Sequence, residues 1–170
     1  KIKMKRIVTL LLALIMILSL ATTAFAQEVN SGKGGSASIT IENASKGETY
    51  KVVKLFDATV TGTEGGSIVY TGNIPSALAD YFETVGGNVQ FKSGADQATA
   101  FTAMKTWADG QTATAAVKST GGALTFKNLP YGYYVITTTQ GTAVTVNSTN
   151  PNVTVYDKNA KEPSVAKTVN

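Results

Sequence analysis

Over residues 111–156 apolar and polar side chains alternate, and no other feature limits the fold of this chain so strongly. Val144 and Val146 flank one threonine, Val153 and Val155 flank another, and Tyr134 and Ile136 lead into a third. A period of two sends successive side chains to opposite faces of an extended backbone, so each run reads as a half-buried strand. Gly132, Gly141 and residues 147–151 separate the runs. Gly121-Gly122 reads as a hairpin turn between residues 116–118 and 124–126. Several short strands at this spacing predict a mainly β chain folded as a β-sandwich. Threonine fits the outer faces, where its branched carbon suits a strand and its hydroxyl meets water.

The same period appears upstream. Ser38-Ile39-Thr40-Ile41-Glu42 alternates, residues 43–47 turn the chain, and residues 50–56 form a second extended run. There Tyr50, Val52, Lys54 and Phe56 share one face and Val53 and Leu55 the other, so both faces are expected to be partly covered. A loop over residues 62–66 precedes a short strand at 67–70. Two short helices are then expected between strands. In residues 75–82, Leu78, Tyr81 and Phe82 recur at helical spacing behind Pro75, which a first turn tolerates. Residues 96–107 give the second, with Asp96 as its cap, Phe101, Met104 and Ala108 on one face, and Trp107 as a packing anchor.

The chain opens with Lys1, Lys3, Lys5 and Arg6, continues through an apolar run at residues 7–20, and reaches Ala24-Phe25-Ala26. A basic start, an apolar stretch and small residues two apart specify a cleavable secretion signal over residues 1–26, with Ala24 and Ala26 marking the cut. The apolar run is shorter than the ~20 residues needed to cross a bilayer, so contact with a membrane is expected only through this signal. Residues 27–36 hold three glycines and two serines with no apolar period, and read as a flexible lead-in. The β domain is expected over residues 37–160, with residues 161–170 as a linker and the first strand of a following domain that is not present.

Charge and missing residue types exclude several functions. Of 15 basic residues four lie in the leader, which leaves eleven against 11 acidic ones. This neutral remainder has no arginine and no lysine cluster, so nucleic-acid binding is not expected. Cysteine and histidine are both absent. That removes thiolate nucleophiles, the Ser-His-Asp triad and the usual zinc sites, so no metal, cofactor or catalytic group is expected and the chain reads as a non-enzyme.

Two segments carry a resemblance: Ile39-Thr40-Ile41-Glu42-Asn43-Ala44 running into Tyr50-Lys51-Val52-Val53-Lys54-Leu55-Phe56-Asp57-Ala58, and Phe126-Lys127-Asn128-Leu129-Pro130-Tyr131-Gly132-Tyr133-Tyr134-Val135-Ile136. In order and spacing they resemble the N-terminal domain of Gram-positive fimbrial (pilus) shaft subunits. The closing Val153-Thr154-Val155-Tyr156-Asp157-Lys158-Asn159 and Glu162-Pro163-Ser164-Val165-Ala166-Lys167-Thr168-Val169 look like that domain's last strand passing into the next domain. The resemblance implies an immunoglobulin-like sandwich related to collagen-adhesin B-type domains. It further implies a structural protein at the cell surface, polymerised by a sortase with other subunits of its kind and anchored to the cell wall. A surface adhesin module binding a host protein or glycan is the alternative.

Many such domains form an internal amide from a lysine to an Asn or Asp, promoted by a buried acid. By resemblance Lys54 is the candidate amine, with Lys51 as the choice if the strand face is reversed, and Asp157 or Asn159 the acceptor. Related domains carry a Glu six residues after the glycine of Leu129-Pro130-Tyr131-Gly132, where this chain has Thr138. No spontaneous amide is therefore expected. The sortase-linkage lysine of such subunits follows Tyr-Pro. Here Lys158 follows Tyr156-Asp157 and takes that position. Lys167 resembles the amide-forming lysine that opens the following domain.

Overall fold

A strand with two apolar faces can lie in the middle layer of a fold, and residues 50–56 do so. The computed structural model describes residues 26–61, 67–141, 143–147 and 152–156. Its strands begin with β1 (Gln27–Asn30), β2 (Ala37–Ala44), β3 (Thr49–Thr61) and β4 (Ser67–Thr71). A 3-10 turn (Ser76–Leu78), a hairpin of β5 (Phe82–Val85) and β6 (Asn88–Phe91), and helix α1 (Gln97–Asp109) follow. The chain then returns to strands: β7 (Ala115–Lys118), β8 (Gly122–Leu129), β9 (Gly132–Thr138), β10 (Ala143–Asn147) and β11 (Asn152–Tyr156).

These strands build two main sheets. One has the order β1-β8-β2-β11, in which β2 and β8 are antiparallel while the outer strands β1 and β11 run parallel to their neighbours. The other has the order β10-β9-β3. Beyond β3, β7 pairs with Thr49–Val52 and β4 with Asp57–Thr61, so the two share the edge opposite β9. The chain between β4 and β7 thus leaves that edge and returns to it, carrying the hairpin and α1 as one excursion.

Ile39 and Ile41 of β2 and Leu124 and Phe126 of β8 meet Tyr50 and Val52 of β3 and Tyr134 and Ile136 of β9 in a core between the sheets. Each such side chain, fully withdrawn from water, contributes ~1.5–3 kcal/mol. On the far side of β3 and β9, Val53, Leu55, Phe56 and Val135 pack against Leu78, Phe82, Met104 and Ala108 of the excursion. The second sheet is therefore covered on both faces, as the pattern of residues 50–56 predicts. On the open face of the first sheet the Thr40 and Thr125 hydroxyls hydrogen-bond at 2.9 Å, directly opposite in register.

Bulges reset the alternation at three points. Asn43 and Asn128 adopt left-handed backbone angles (φ 56° and 59°) where the β2–β8 register shifts, which turns Ala44 and Leu129 inward. The β3–β9 register shifts between Lys54 and Phe56. Phe56 consequently leaves the face of Tyr50 and Val52, where simple alternation puts it, and joins Val53 on the other side.

Three further expectations are corrected. Residues 75–82 do not form a helix. A 3-10 turn ends at Leu78 and Phe82 already begins β5, because Gly86 and Gly87, both at positive φ (58° and 86°), fold residues 82–91 into a hairpin. One helix, α1, stands where two were expected; its cap is Asp96, whose carboxylate accepts from the Thr99 amide at 2.8 Å. Gly121-Gly122 does not turn a hairpin either, since β7 belongs to one sheet and β8 to the other. That corner is held by buried Ser119, whose amide donates to the Glu48 carbonyl and whose Oγ accepts from the Gly121 amide. Residues 27–36 are not a loose lead-in, because β1 starts at Gln27. The Gln27 carboxamide accepts from the Thr120 amide and donates to the Lys118 carbonyl, and the amides of Ser31 and Gly35 bond to the carbonyls of Lys127 and Asn128.

Candidate functional site

The resemblance points first to Lys54. It leaves β3 on the side of Tyr50 and Val52 and faces Tyr134 of β9. Its stem passes Gly132, where a Cβ would stand 2.9 Å from Lys54 Cδ and 2.7 Å from the Phe56 carbonyl oxygen. Glycine at 132 is what lets the lysine and the bulge come so close. The Lys54 ammonium ends in an ion pair with Asp57 Oδ1 at 2.5 Å, with 30 % of its side chain exposed. Beside it Tyr134 donates its Oη hydrogen to the Pro130 carbonyl at 2.6 Å. Burial, and secondarily the Asp57 charge, hold the Tyr134 phenol well above its ordinary pKa of 10.0, so it stays protonated and keeps donating.

Among the described residues, the other candidates, Thr138 and Lys51, are not gathered around the Lys54 amine. Thr138, at the position of the promoting acid in related domains, pairs with Tyr50 rather than with Lys54. It lies four positions along β9 from Tyr134, a distance of roughly 13 Å on a strand. Lys51 points to the other face, where its Nζ donates to the carbonyls of Asp109 and Gln111 at 3.3 Å each and satisfies the C-terminal end of α1. Ala26 is exposed and directly precedes β1. Ala24, Asp157, Lys158, Asn159 and Lys167 lie outside the described residues.

The register also fixes where the chain enters and leaves. Gln27 lies beside Leu124, Leu124 beside Ile41, and Ile41 beside Val155, one residue before Tyr156. The first and last strands are thus the two edges of one sheet, and Gln27 and Tyr156 stand at the same end of it.

A second feature went unseen in the sequence. Between the second sheet, the β5–β6 hairpin and α1 is a cleft of about 1020 Å³. Phe56, Phe82, Val89 and Met104, all buried, form its floor. Tyr70, Tyr133, Phe91 and Phe101, half-buried, are among its walls, and exposed Gln90, Gln97, Ala98 and Thr102 lie at its mouth. The rings touch edge to face, Phe56 on Phe82 at 5.1 Å and Tyr70 on Tyr133 at 5.5 Å between centroids. The available signal was the spread of six aromatic residues across β3, β4, β5, β6, α1 and β9, which only the tertiary fold collects.

No protein-family model and no curated protein matches the chain.

Proposed function

We propose that this protein is a structural subunit of a cell-surface fibre, exported through its leader, polymerised by a sortase and anchored to the wall of a Gram-positive bacterium. One observation carries the reading. The segments that resemble pilus shaft subunits become β2, β3, β8 and β9, whose inward side chains supply most of the core between the sheets. The immunoglobulin-like character of the sandwich belongs to the same proposal. Its support is the corner at Tyr134, near the start of β9, whose Oη reaches back four residues to Pro130 O.

In a stacked fibre the domain has two working ends. A chain continuing beyond Tyr156 leaves from the end where β1 begins, so a following domain stacks there. Lys158, two residues beyond β11, serves as the linkage lysine.

The test is a gel of wall extracts from the native host under denaturing, reducing conditions. A ladder of covalent multimers is expected, collapsing to monomer in Lys158→Ala. Recovery of the unaltered protein only as monomer in the medium sinks the fibre reading, whereas a ladder that survives the substitution moves the linkage to another lysine. The adhesin reading keeps one specific observation on its side, the aromatic cleft.

A further inference from the structure

We propose that the cleft between the second sheet, the β5–β6 hairpin and α1 binds a small, uncharged, ring-bearing molecule, apolar body inward and a hydrogen-bonding group at the mouth. This goes beyond the fibre reading, which makes no use of the cleft. At about 1020 Å³ the space lies at the upper end of the range that takes a drug-sized ligand. Among the described lining residues there is no carboxylate, amine or guanidinium, so none of them compensates a charge taken out of water.

The polar groups are confined to the rim. Among the described residues the polar side chains at the mouth are the Gln90 and Gln97 carboxamides, each able to donate and accept, and the Thr102 hydroxyl, which donates to the Ala98 carbonyl at 3.1 Å and keeps its lone pairs to accept. Below them the described lining is aliphatic, thioether or aromatic, apart from the two tyrosine hydroxyls. That gradient selects among neutral ligands. A monosaccharide carries hydroxyls around its whole ring, and several would be stripped of water over the rings of Phe82, Phe91 and Phe101 with no partner to replace it. A flat hydrocarbon ring instead meets faces and edges of six aromatic side chains, in the offset and edge-on arrangements such pairs prefer.

The cleft is also built to keep its shape. Its floor residues belong to the packed core that joins α1 to the second sheet. One wall is pinned by the Gly86-Gly87 turn, with Gln90 Nε2 of β6 donating to Glu83 Oε1 of β5 at 3.0 Å. The Asp96 cap fixes the start of α1, one residue before Gln97.

The probe is N-phenyl-1-naphthylamine, a neutral three-ring diarylamine whose fluorescence rises in apolar surroundings, titrated into the purified protein. Saturable binding of one dye per chain is expected. Ala98→Trp places an indole at the mouth from an exposed helix position and should weaken binding at least about tenfold. Circular dichroism and the unfolding midpoint should not change, and Thr102→Trp should repeat the loss if either variant folds poorly. Four results would overturn the proposal: no saturable binding, binding indifferent to both substitutions, displacement of the dye by millimolar methyl glucoside, or loss of binding as protein concentration rises and the chains dimerise. The last two would hand the cleft to a glycan or to a second copy of the chain.

Discussion

Lys54 lies diagonally across from Gly132 on the adjacent strand, its stem filling the space that any side chain at 132 would need. Gly132→Ala therefore cannot be accommodated by moving the flexible lysine alone, because the new methyl group also meets the Phe56 carbonyl at 2.7 Å. We expect a loss of ~1–3 kcal/mol, the usual cost of overpacking a close-fitted site. Urea unfolding should show it as a lower midpoint with an unchanged slope. In the double variant Lys54→Ala/Gly132→Ala only part of the loss should return, since the backbone contact remains. Full recovery would show that the lysine, not the bulge, sets the spacing.

Tyr134→Phe removes the hydrogen bond to Pro130 and leaves that carbonyl facing an apolar ring edge. The expected cost is ~1–3 kcal/mol, that of a buried polar group left without its partner. The pH dependence has a definite sign. Because the folded-state pKa is raised, the native protein holds the phenolic proton more tightly than the unfolded chain does. Its contribution is complete below the unfolded value of about 10 and is lost as pH rises above it. Wild-type protein should thus lose stability above pH ~10 more steeply than Tyr134→Phe. Equal slopes in the two proteins, measured by thermal unfolding across that range, would assign the alkaline loss to other groups.

Where local pattern and tertiary need agree, the chain was readable: Ile39 and Ile41 alternate into the core, Tyr50 and Val52 do the same, and Asp96 caps α1. Elsewhere two patterns overlap on the same residues. Leu78, Tyr81 and Phe82 fit a helical stripe, yet Phe82 also begins an alternating run that Gly86-Gly87 closes into a hairpin, and packing on Phe56 and Phe91 decides between them. Gln27–Asn30 has no strong strand pattern, since a four-residue parallel edge strand is held by its neighbour β8 and by the Gln27 carboxamide rather than by propensity. The Gly121-Gly122 corner misled for a related reason: the turn chemistry is local, whereas the choice of sheet belongs to Ser119 and its partners. For the site, alternation put Lys54 on the correct face. Nothing local announced Asp57 as its partner, because the bulge at Leu55 re-aims the chain between them.

Strand β1 supplies a test of its own. Its pairing leaves the amides of Ser31 and Gly35 bonded to β8 carbonyls at 3.0 Å, and Val29 packs on the core between the sheets. Both amides should exchange with solvent far more slowly than in a free peptide of the same sequence. Removing residues 27–30 should lower the unfolding midpoint and release protection along β8. Free-peptide exchange rates at Ser31 and Gly35 in the intact protein would restore the unstructured lead-in.

The mass of the purified protein bears on Lys54 most directly. An internal amide would lower it by one ammonia for a Lys-Asn bond or by one water for a Lys-Asp bond, and we expect neither. The reaction needs a lysine amine released from other partners and a promoting acid beside it. Asp57 at 2.5 Å engages the Lys54 Nζ in an ion pair, and Thr138, where the resemblance would put a promoting acid, is set beside Tyr50 and not beside Lys54. Lys51, the other candidate, has its Nζ engaged by two carbonyls at the end of α1. An unshifted mass in wild type, with no slower gel migration in Lys54→Ala, is the expected result. A deficit of water that disappears in Asp57→Ala would instead show that the ion pair itself condenses, and one that disappears in Asp157→Ala would place the bond at the last strand.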